Sequence, residues 1–262
     1  MSVRLSVVIP SYRAAPLACA SLARLRSDMS DYGESLEVIL VDDGSHDLDP
    51  AVVSALGGRL ISLRTNQGKG AAVRAGMREA RGDVRVYTDV DLPFGSECIR
   101  LMEHFIAERG FHVVIGDRTL EASRYSQQVT LLRRLASAVF TTLVGRVITG
   151  GFFDTQCGVK GFRSDVAERL FLLSRIDRFA FDVELVYMSL KHRLDIKRLA
   201  VELERNETSS VRVVRDSLRM LVDVARIVVN QYRGRYRDDY LLALITHETR
   251  AAQVTIRSRR PS

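Results

Sequence analysis

The sequence predicts an α/β fold with a doubly wound, mostly parallel sheet and amphipathic helices at the C-terminal end. Short apolar runs with strand character alternate with segments of helical periodicity between residues 5 and 115. Acidic residues directly follow two of these runs, where a buried strand is expected to end. After residue 120 the alternation gives way to longer amphipathic segments. Strands that alternate with helices in this way are typical of parallel sheets covered on both faces.

Each predicted element rests on its own local pattern. The first strand is an apolar run that stops at Pro10, and the later strands are similar runs bounded by turn residues or carboxylates. Helices are expected where apolar residues recur every three or four positions. In chain order, the predicted strands are 5–10, 36–41, 59–63, 84–88, 112–115, a short strand within 154–163, and 196–201. The predicted helices are 14–26, 71–80, 97–108, 130–149, 182–193 and 211–232.

Three segments make up the predicted domain organisation: an α/β domain at 1–205, an amphipathic C-terminal helix at 206–237 and a basic tail at 238–262. Apolar residues recur at helical spacing through the C-terminal helix, and arginines lie largely opposite them. Such a helix can lie on an anionic membrane surface. The alternative is an ordinary amphipathic helix that closes the domain. The helix predicted at 130–149 offers a second apolar surface, on which a lipid tail can rest.

Composition and charge narrow the function classes. The chain has 262 residues, of which 46% are hydrophobic and 27% charged, so it can form a full core and is not disordered by composition. Its net charge of +7 suits nucleic acid, an anionic membrane surface or phosphorylated substrates. Zinc-finger spacing and an aromatic-rich basic patch are both missing from the sequence. Nucleic acid is therefore not expected as a partner.

The predicted location is cytoplasmic, peripheral on the cytoplasmic face of a membrane. Cys19, Cys98 and Cys157 are odd in number and far apart, which favours a reducing compartment. The N-terminal residues run directly into the first strand without the apolar region of a signal peptide. The longest weakly polar stretch, between Arg134 and Arg146, has eleven uncharged residues, whereas a membrane span needs about 20.

Two acidic pairs carry most of the chemical information. Asp42 and Asp43 close one predicted strand, and Asp89 and Asp91 follow another. The carboxyl ends of parallel strands meet at one edge of the sheet, where ligands bind. Carboxylates gathered there are costly unless a cation joins them, and Mg²⁺ or Mn²⁺ prefers oxygen ligands. The pattern indicates a metal-dependent enzyme for a nucleotide sugar, although an Asp-Gly turn and solvated loop acids are the simpler interpretations of each pair.

A glycine-rich turn at 66–70 precedes the helix predicted at 71–80. Glycines before a helix N-terminus can bind phosphate through backbone N–H groups. The turn is not a P-loop, because the G-x-x-x-x-G-K-[ST] pattern is missing. The alternative is close packing of the helix, with Lys69 in solvent.

Together these segments resemble the inverting family 2 glycosyltransferases, which have the GT-A fold. The matching segments are SVVIPSY at 6–12, VDDGS at 41–45, NQGKG at 66–70, ARGD at 80–83 and DVDL at 89–92. The resemblance covers roughly residues 4–205. A narrower likeness, to the dolichyl-phosphate β-glucosyltransferase or polyprenyl-phosphate hexosyltransferase branch, rests on GDR at 116–118, DTQCGVKGF at 154–162 and RFAFDVEL at 178–185.

The resemblance implies inverting transfer of glucose from UDP-glucose to a polyprenyl phosphate, with Mg²⁺ or Mn²⁺ as cofactor. GDP-mannose as donor, a non-lipid acceptor and an inactive nucleotide-sugar-binding protein are the alternatives. The implied nucleotide-sugar contacts are Pro10, Tyr12, Asp43, Lys69 and Asp89. Asp89 and Asp91 are the implied metal ligands. The implied acceptor-phosphate contacts are Arg118, Lys160 and Arg163, and the implied catalytic residues are Asp154, Asp91 and Arg118.

The chemistry of the acceptor decides whether a general base is needed. A hydroxyl acceptor needs one, but a phosphate monoester has its second pKa near ~6 and is already largely ionised in the cytosol. Asp154 is expected to orient the acceptor or to act as a weak base, with capping of the turn at Thr155 as the alternative. Glu184 is the second candidate base, and a salt bridge from Glu184 to Arg178 is the structural alternative.

Overall fold

The computed structural model describes residues 2–124, 154–204 and 213–244, with side chains described throughout except at 213–218. Seven strands form one sheet in the order β3-β2-β1-β4-β6-β5-β7. In chain order the strands are β1 (Leu5–Ser11), β2 (Leu36–Asp42), β3 (Arg59–Ser62), β4 (Val84–Thr88), β5 (Val113–Asp117), β6 (Val159–Arg163) and β7 (Ile196–Ala200). These strands agree with the predicted strands to within two residues at most ends.

Helices cover both faces of this sheet. They are α1 (Ala15–Asp28), α2 (Pro50–Ala55), α3 (Lys69–Glu79), α4 (Gly95–Ala107), α5 (Ser164–Leu173), α6 (Phe181–Lys191) and α7 (Val213–Tyr232), with a 3₁₀ turn at Ser30–Ser35. The sequence patterns did not predict α2 and α5. Helix α2 begins at Pro50 after Asp49, whose carboxylate accepts the backbone N–H of Ala51 at 2.8 Å, a common N-terminal cap.

The sheet is mostly parallel, as predicted, and β6 is its antiparallel member. Strand β6 pairs antiparallel with both β4 and β5, whereas β1 pairs parallel with β2 and β4. Thr88 at the end of β4 therefore lies opposite Val159 at the start of β6. The residues just before β6 consequently meet the carboxyl ends of the parallel strands at one edge of the sheet.

Two apolar layers hold the helices on the sheet. One layer joins α3, α5, α6 and α7 to residues such as Val8, Val41 and Tyr87. The other joins α1 and α4 to Val7, Ile9 and Val86. Alternate residues of a strand point to opposite faces, so a single strand such as β1 contributes residues to both layers. This double burial explains why the strands read as continuous apolar runs.

The C-terminal segments differ in part from their predictions. Helix α7 confirms the helix predicted at 211–232, but the first part of the predicted basic tail is packed against the domain. Leu241 is fully buried, and the Tyr240 hydroxyl donates to Asp165 at 2.9 Å. The helix predicted at 130–149 lies outside the described residues. None of the described helices combines the length and the apolar composition needed to cross a bilayer.

Candidate active site

The predicted nucleotide site lies at the carboxyl edge of the sheet, where β1 and β2 end. Pro10 is buried in β1, and Tyr12, just beyond the strand, is 42% exposed. The Arg13 guanidinium lies 5.2 Å from the centre of the Tyr12 ring. The carbonyl of Ser11 accepts the backbone N–H of Asp43 at 2.8 Å. The two strand ends are therefore joined, with an exposed aromatic ring beside them.

Asp43 organises the glycine-rich turn. Its carboxylate accepts the backbone N–H groups of Gln67 and Gly68, both at 2.8 Å, and the Asn66 amide at 2.9 Å. Burial raises the pKa of Asp43, although the two backbone N–H groups favour its charged form. Gly44 has a positive φ of 75°, and a Cβ there would lie 2.3 Å from the backbone of Thr65. This close approach requires glycine after the acidic pair.

The glycines of the turn serve close packing, as the alternative interpretation held. A Cβ on Gly68 would lie 2.5 Å from the carbonyl oxygen of Asp177, and one on Gly70 would lie 2.6 Å from that of Ile176. The loop at 174–178 thus presses directly on the start of α3. Lys69, between the two glycines, is not in open solvent, because its ammonium pairs with Asp89.

Replacing Asp43 with alanine should destabilise the fold. The variant leaves three hydrogen-bond donors of the turn without their acceptor, so we expect a loss of about 2–4 kcal/mol in the free energy of unfolding. Denaturant titration measures this loss. Asp83→Ala is the matched control, because Asp83 is exposed at the opposite end of the sheet. Unchanged stability in Asp43→Ala would show that the turn forms without this carboxylate.

Asp89 lies where β4, β6 and the turn meet. Its side chain is 36% exposed and pairs with Lys69, and its backbone N–H donates to the Gly158 carbonyl at 3.1 Å. A Cβ on Gly158 would lie only 1.9 Å from Asp89 Oδ2. Gly158 is therefore part of the site, although sequence reasoning assigned it no role. Its place in the distinctive 154–162 segment was the available signal.

Asp91 completes a mixed-charge cluster around Lys69. Asp91 is partly buried. Burial alone would lower the pKa of the Lys69 ammonium, but the carboxylates of Asp89, Asp182 and Asp91 raise it. Lys69 therefore stays charged in the cluster and partly compensates the carboxylates that surround it.

The donor set of Asp89 and Asp91 fits a Mg²⁺ or Mn²⁺ ion that also takes oxygens from a substrate. Both side chains offer hard oxygen ligands, and Mg²⁺ in phosphate enzymes is commonly held by one or two carboxylates plus phosphate oxygens. Within the described ranges, no group of three or more acidic, histidine or cysteine side chains is placed to hold an ion.

Arg118 and Asp154 form a tight pair beside this site. The Arg118 guanidinium donates to Asp154 through Nε at 2.9 Å and Nη2 at 2.7 Å, and its backbone N–H donates at 2.7 Å. Burial would raise the pKa of Asp154, which is 5% exposed, but Arg118 lowers it below its ordinary value. A carboxylate held in this way is a weak proton acceptor. In this structure Asp154 holds the guanidinium of Arg118 in place through two hydrogen bonds.

The side chains of Lys160 and Arg163, the other two predicted phosphate contacts, are engaged elsewhere in this structure. Lys160 is fully buried, and its ammonium binds Asp182 and the Cys157 carbonyl. Arg163 lies opposite Val84, at the far end of β4. The antiparallel direction of β6 explains the position of Arg163, because the chain moves away from the site as it runs from Val159 to Arg163. Lys160 stays near the site, opposite Tyr87, but its ammonium is buried in an ion pair with Asp182.

A buried polar network under the site was not predicted. Asp182 accepts the ammonium of Lys160 and the hydroxyl of Tyr87, the latter at 2.5 Å. Burial raises the pKa of Tyr87 well above its ordinary value, and Asp182 adds to that shift. The network ties β4, β6 and α6 together directly beneath the Lys69 cluster. The sequence signal was Asp182 itself, an acid at the start of an otherwise apolar helix.

Glu184 has a structural role that differs from both predicted roles, the general base and the salt bridge to Arg178. It is fully buried, accepts the backbone N–H groups of Arg175 and Ile176, and accepts the Tyr236 hydroxyl at 2.6 Å. Burial raises the pKa of its carboxyl. Arg178 instead pairs with Asp223 of α7. Glu184 thus shapes the loop at 174–178 that supports the glycine-rich turn.

Known proteins share both the sequence pattern and the fold. A family profile described as glycosyl transferase family 2 matches residues 6–171. A dolichyl-phosphate beta-glucosyltransferase of Dictyostelium discoideum is 30% identical, with 86% of this chain and 74% of the relative covered. The protein of the same name from Homo sapiens is also 30% identical, with 89% and 78% covered.

Solved structures of low sequence identity have the same architecture. Mannosyl-3-phosphoglycerate synthase from Rubrobacter xylanophilus aligns with a TM-score of 0.66 at 18% identity, covering 88% of this chain and 74% of that one. Glucosyl-3-phosphoglycerate synthase from Mycobacterium tuberculosis, solved with Mn²⁺, UDP-glucose and phosphoglyceric acid, aligns with a TM-score of 0.60 at 17% identity, covering 86% and 79%. The sheet, the strand-end carboxylates and the family match agree: the chain belongs to glycosyl transferase family 2 and has the GT-A fold.

Proposed function

We propose that the protein transfers glucose from UDP-glucose to a polyprenyl phosphate, with inversion, to give a β-linked lipid-phosphate sugar. One observation carries the proposal: a continuous set of contacts runs from Asp43 through the turn at 66–69 to Asp89. The contacts join the nucleotide end of the site to its metal and diphosphate end. The relatives named dolichyl-phosphate beta-glucosyltransferase support the choice of sugar and acceptor.

An anionic acceptor fits this site better than a hydroxyl acceptor, because a hydroxyl needs a general base and the candidate carboxylates are already engaged. The two side chains considered as a base are both engaged, Asp154 with Arg118 and Glu184 with backbone N–H groups. An ionised phosphate needs no proton removed before it attacks the sugar. Arg118 is suited to hold such a phosphate, because the planar guanidinium matches phosphate oxygens. The proposal therefore gives Arg118 the acceptor phosphate and Asp154 the positioning of Arg118.

At the donor end, each residue has a separate task. Tyr12 provides an exposed ring for the nucleobase, and the turn held by Asp43 provides backbone groups for the nucleotide. Lys69 binds the diphosphate as a fixed positive charge. A divalent ion held by Asp89 and Asp91 would supply further neutralisation of the negative charge that develops on the leaving diphosphate. The protein then mainly aligns two anionic groups on either side of the sugar.

The acceptor and the cysteines bear on location. A polyprenyl phosphate resides in a bilayer, so the enzyme must work at a membrane surface. Cys19, Cys98 and Cys157 form no disulfide, which suits a reducing compartment. We place the enzyme on the cytoplasmic face of that membrane.

An assay with separate donors and acceptors tests the proposal. Purified protein with Mg²⁺ or Mn²⁺ is offered UDP-glucose or GDP-mannose, each with a polyprenyl phosphate or with 3-phosphoglycerate. We expect a lipid-linked product from UDP-glucose and polyprenyl phosphate, and its loss when EDTA removes the ion. If only GDP-mannose gives product, the donor is GDP-mannose and not UDP-glucose. If only 3-phosphoglycerate gives product, the acceptor is not a polyprenyl phosphate. Binding of UDP-glucose without transfer or hydrolysis would favour an inactive binding protein.

A further inference from the structure

Over residues 219–232, where side chains are described, the apolar stripe of α7 points away from the domain. Four of its large residues there are well exposed: Leu221 at 42%, Val222 at 48%, Val229 at 45% and Tyr232 at 87%. The inward face instead buries Val224 and Ile227 together with the polar Asp223 and Asn230. A helix that merely closes a domain buries its main apolar stripe. We call Leu221, Val222, Val229 and Tyr232, with the neighbouring Arg226 and Arg233, the outer face of α7.

The charge on this surface is of one sign. Arg226 has a 61% exposed side chain. Arg233 lies seven residues, or about two turns, further on, just past the end of the helix, and is also exposed. Asp223 is the only acidic residue from Arg219 to Arg237. Its side chain is 2% exposed and pairs with Arg178 and Arg226. The outer face therefore presents apolar and cationic side chains together.

We propose that the outer face of α7 binds the surface of an anionic lipid bilayer. Exposed aliphatic and aromatic residues flanked by arginines match the layered chemistry of that surface, apolar below the headgroups and anionic at them. A second copy of the chain fits less well, because a two-fold contact would bring Arg226 and Arg233 of both copies together. Like charges at a contact are unfavourable. The bilayer as partner rests on the proposed function, which puts the acceptor in a membrane.

The inner face of α7 joins this surface to the donor site. Arg178 donates to Asp223 at 3.1 and 3.2 Å, and Glu184 accepts the Tyr236 hydroxyl just beyond the helix. Both contacts hold the loop at 174–178, which packs on Gly68 and Gly70. Docking of α7 would therefore set the orientation of the donor-binding edge relative to the lipid surface.

Vesicle flotation of the full-length protein tests the proposal without any lipid acceptor. Vesicles of phosphatidylcholine alone are compared with vesicles that also contain phosphatidylglycerol. We expect binding to the anionic vesicles, and a weakening of about fivefold for each of Arg226→Gln and Arg233→Gln. The triple variant Leu221→Ser, Val229→Ser, Tyr232→Ser should lose binding by about tenfold or more. Leu101→Ser with Arg109→Gln is the matched control in the opposite layer: Leu101 is exposed on α4, and Arg109 is exposed just beyond the end of that helix.

Several outcomes would overturn the proposal. Equal vesicle binding by wild type and the outer-face variants would show that the membrane contact lies elsewhere on the protein. No binding by wild type would show that the protein does not bind anionic bilayers. A dimer in light scattering that the triple variant abolishes would assign the face to a second copy. UDP-glucose titration in the absence of vesicles should be the same for wild type and every variant. A failure of that titration in wild type, with vesicle binding intact, would count against the proposed function and not against the docking face.

Discussion

Asp89→Asn should lower kcat for glucosyl transfer by about a thousandfold. The substitution removes one of the two carboxylates proposed to bind the ion and also removes the charged partner of Lys69. An amide cannot replace the carboxylate charge at the proposed cation and diphosphate site. Stability should change little, because the Asp89 side chain is 36% exposed and the amide is nearly the same size.

The measurement is a steady-state assay at several Mn²⁺ concentrations, together with thermal unfolding. We expect the apparent dissociation constant for Mn²⁺ in the presence of UDP to rise as kcat falls. Asp83→Asn, at the opposite end of the sheet, controls for the loss of one negative charge. Wild-type turnover in Asp89→Asn would remove the carboxylate from the chemistry.

Asp154→Asn should lower kcat by about a hundredfold while UDP-glucose binds almost normally. The carboxylate receives two guanidinium bonds and one backbone bond from Arg118, so its loss lets the guanidinium shift. A displacement of about 1 Å at a reacting group can cost about a hundredfold in rate. Kinetics with varied acceptor and a separate UDP-glucose titration measure the two effects.

The pH profile separates positioning from base catalysis. Arg118 lowers the pKa of Asp154, so this carboxylate remains ionised throughout the pH range in which the acceptor phosphate titrates. We therefore expect the shape of the kcat profile to be unchanged in Asp154→Asn, with its acid side set by the second phosphate pKa of about 6. An acid side that is present in wild type and missing from the variant would contradict this, because it would show that Asp154 itself titrates in that range as a base. Unchanged turnover in the variant would exclude both roles.

The same shift has a consequence for stability. A carboxyl group whose folded-state pKa is lower than its unfolded value stabilises the fold while it is ionised. The Arg118–Asp154 pair therefore contributes at neutral pH. Its contribution starts to fall below the ordinary carboxyl pKa and is lost as pH drops through the lowered pKa. Near neutral pH the pair therefore stabilises the fold.

The sequence predicted the edge of the sheet better than it predicted individual contacts. Strand ends were readable because apolar runs stop at Pro10, Asp42 and Asp89, and parallel strands bring their ends together. The direction of β6 could not be predicted, because a short strand of mixed residues carries no local signal for its direction. That direction accounts for the position of Arg163, since residues on an antiparallel strand recede from the edge where the neighbouring strands end. The pairing of Lys160 could not be predicted either, because its partner Asp182 lies on a different element.

Helix periodicity has a similar limit. The spacing in α7 showed which residues share a side, but not which side meets the core. Asp223 and Asn230 lie inward because Arg178 and Tyr236 supply partners for them, and such distant partners are not visible in a local pattern. Helix α5 was missed because it starts at Ser164, immediately after β6, with no glycine, proline or capping side chain between the two elements.

A crystal structure of the protein with UDP and Mn²⁺ tests the proposed metal and nucleotide sites together, with anomalous diffraction used to locate the ion. We expect an anomalous peak within bonding distance of carboxylate oxygens of Asp89 or Asp91 and of the UDP diphosphate, with the uridine beside Tyr12 and the turn at 66–68. An ion bound away from both aspartates, or UDP bound away from the carboxyl edge of the sheet, would show that this edge is not the donor site.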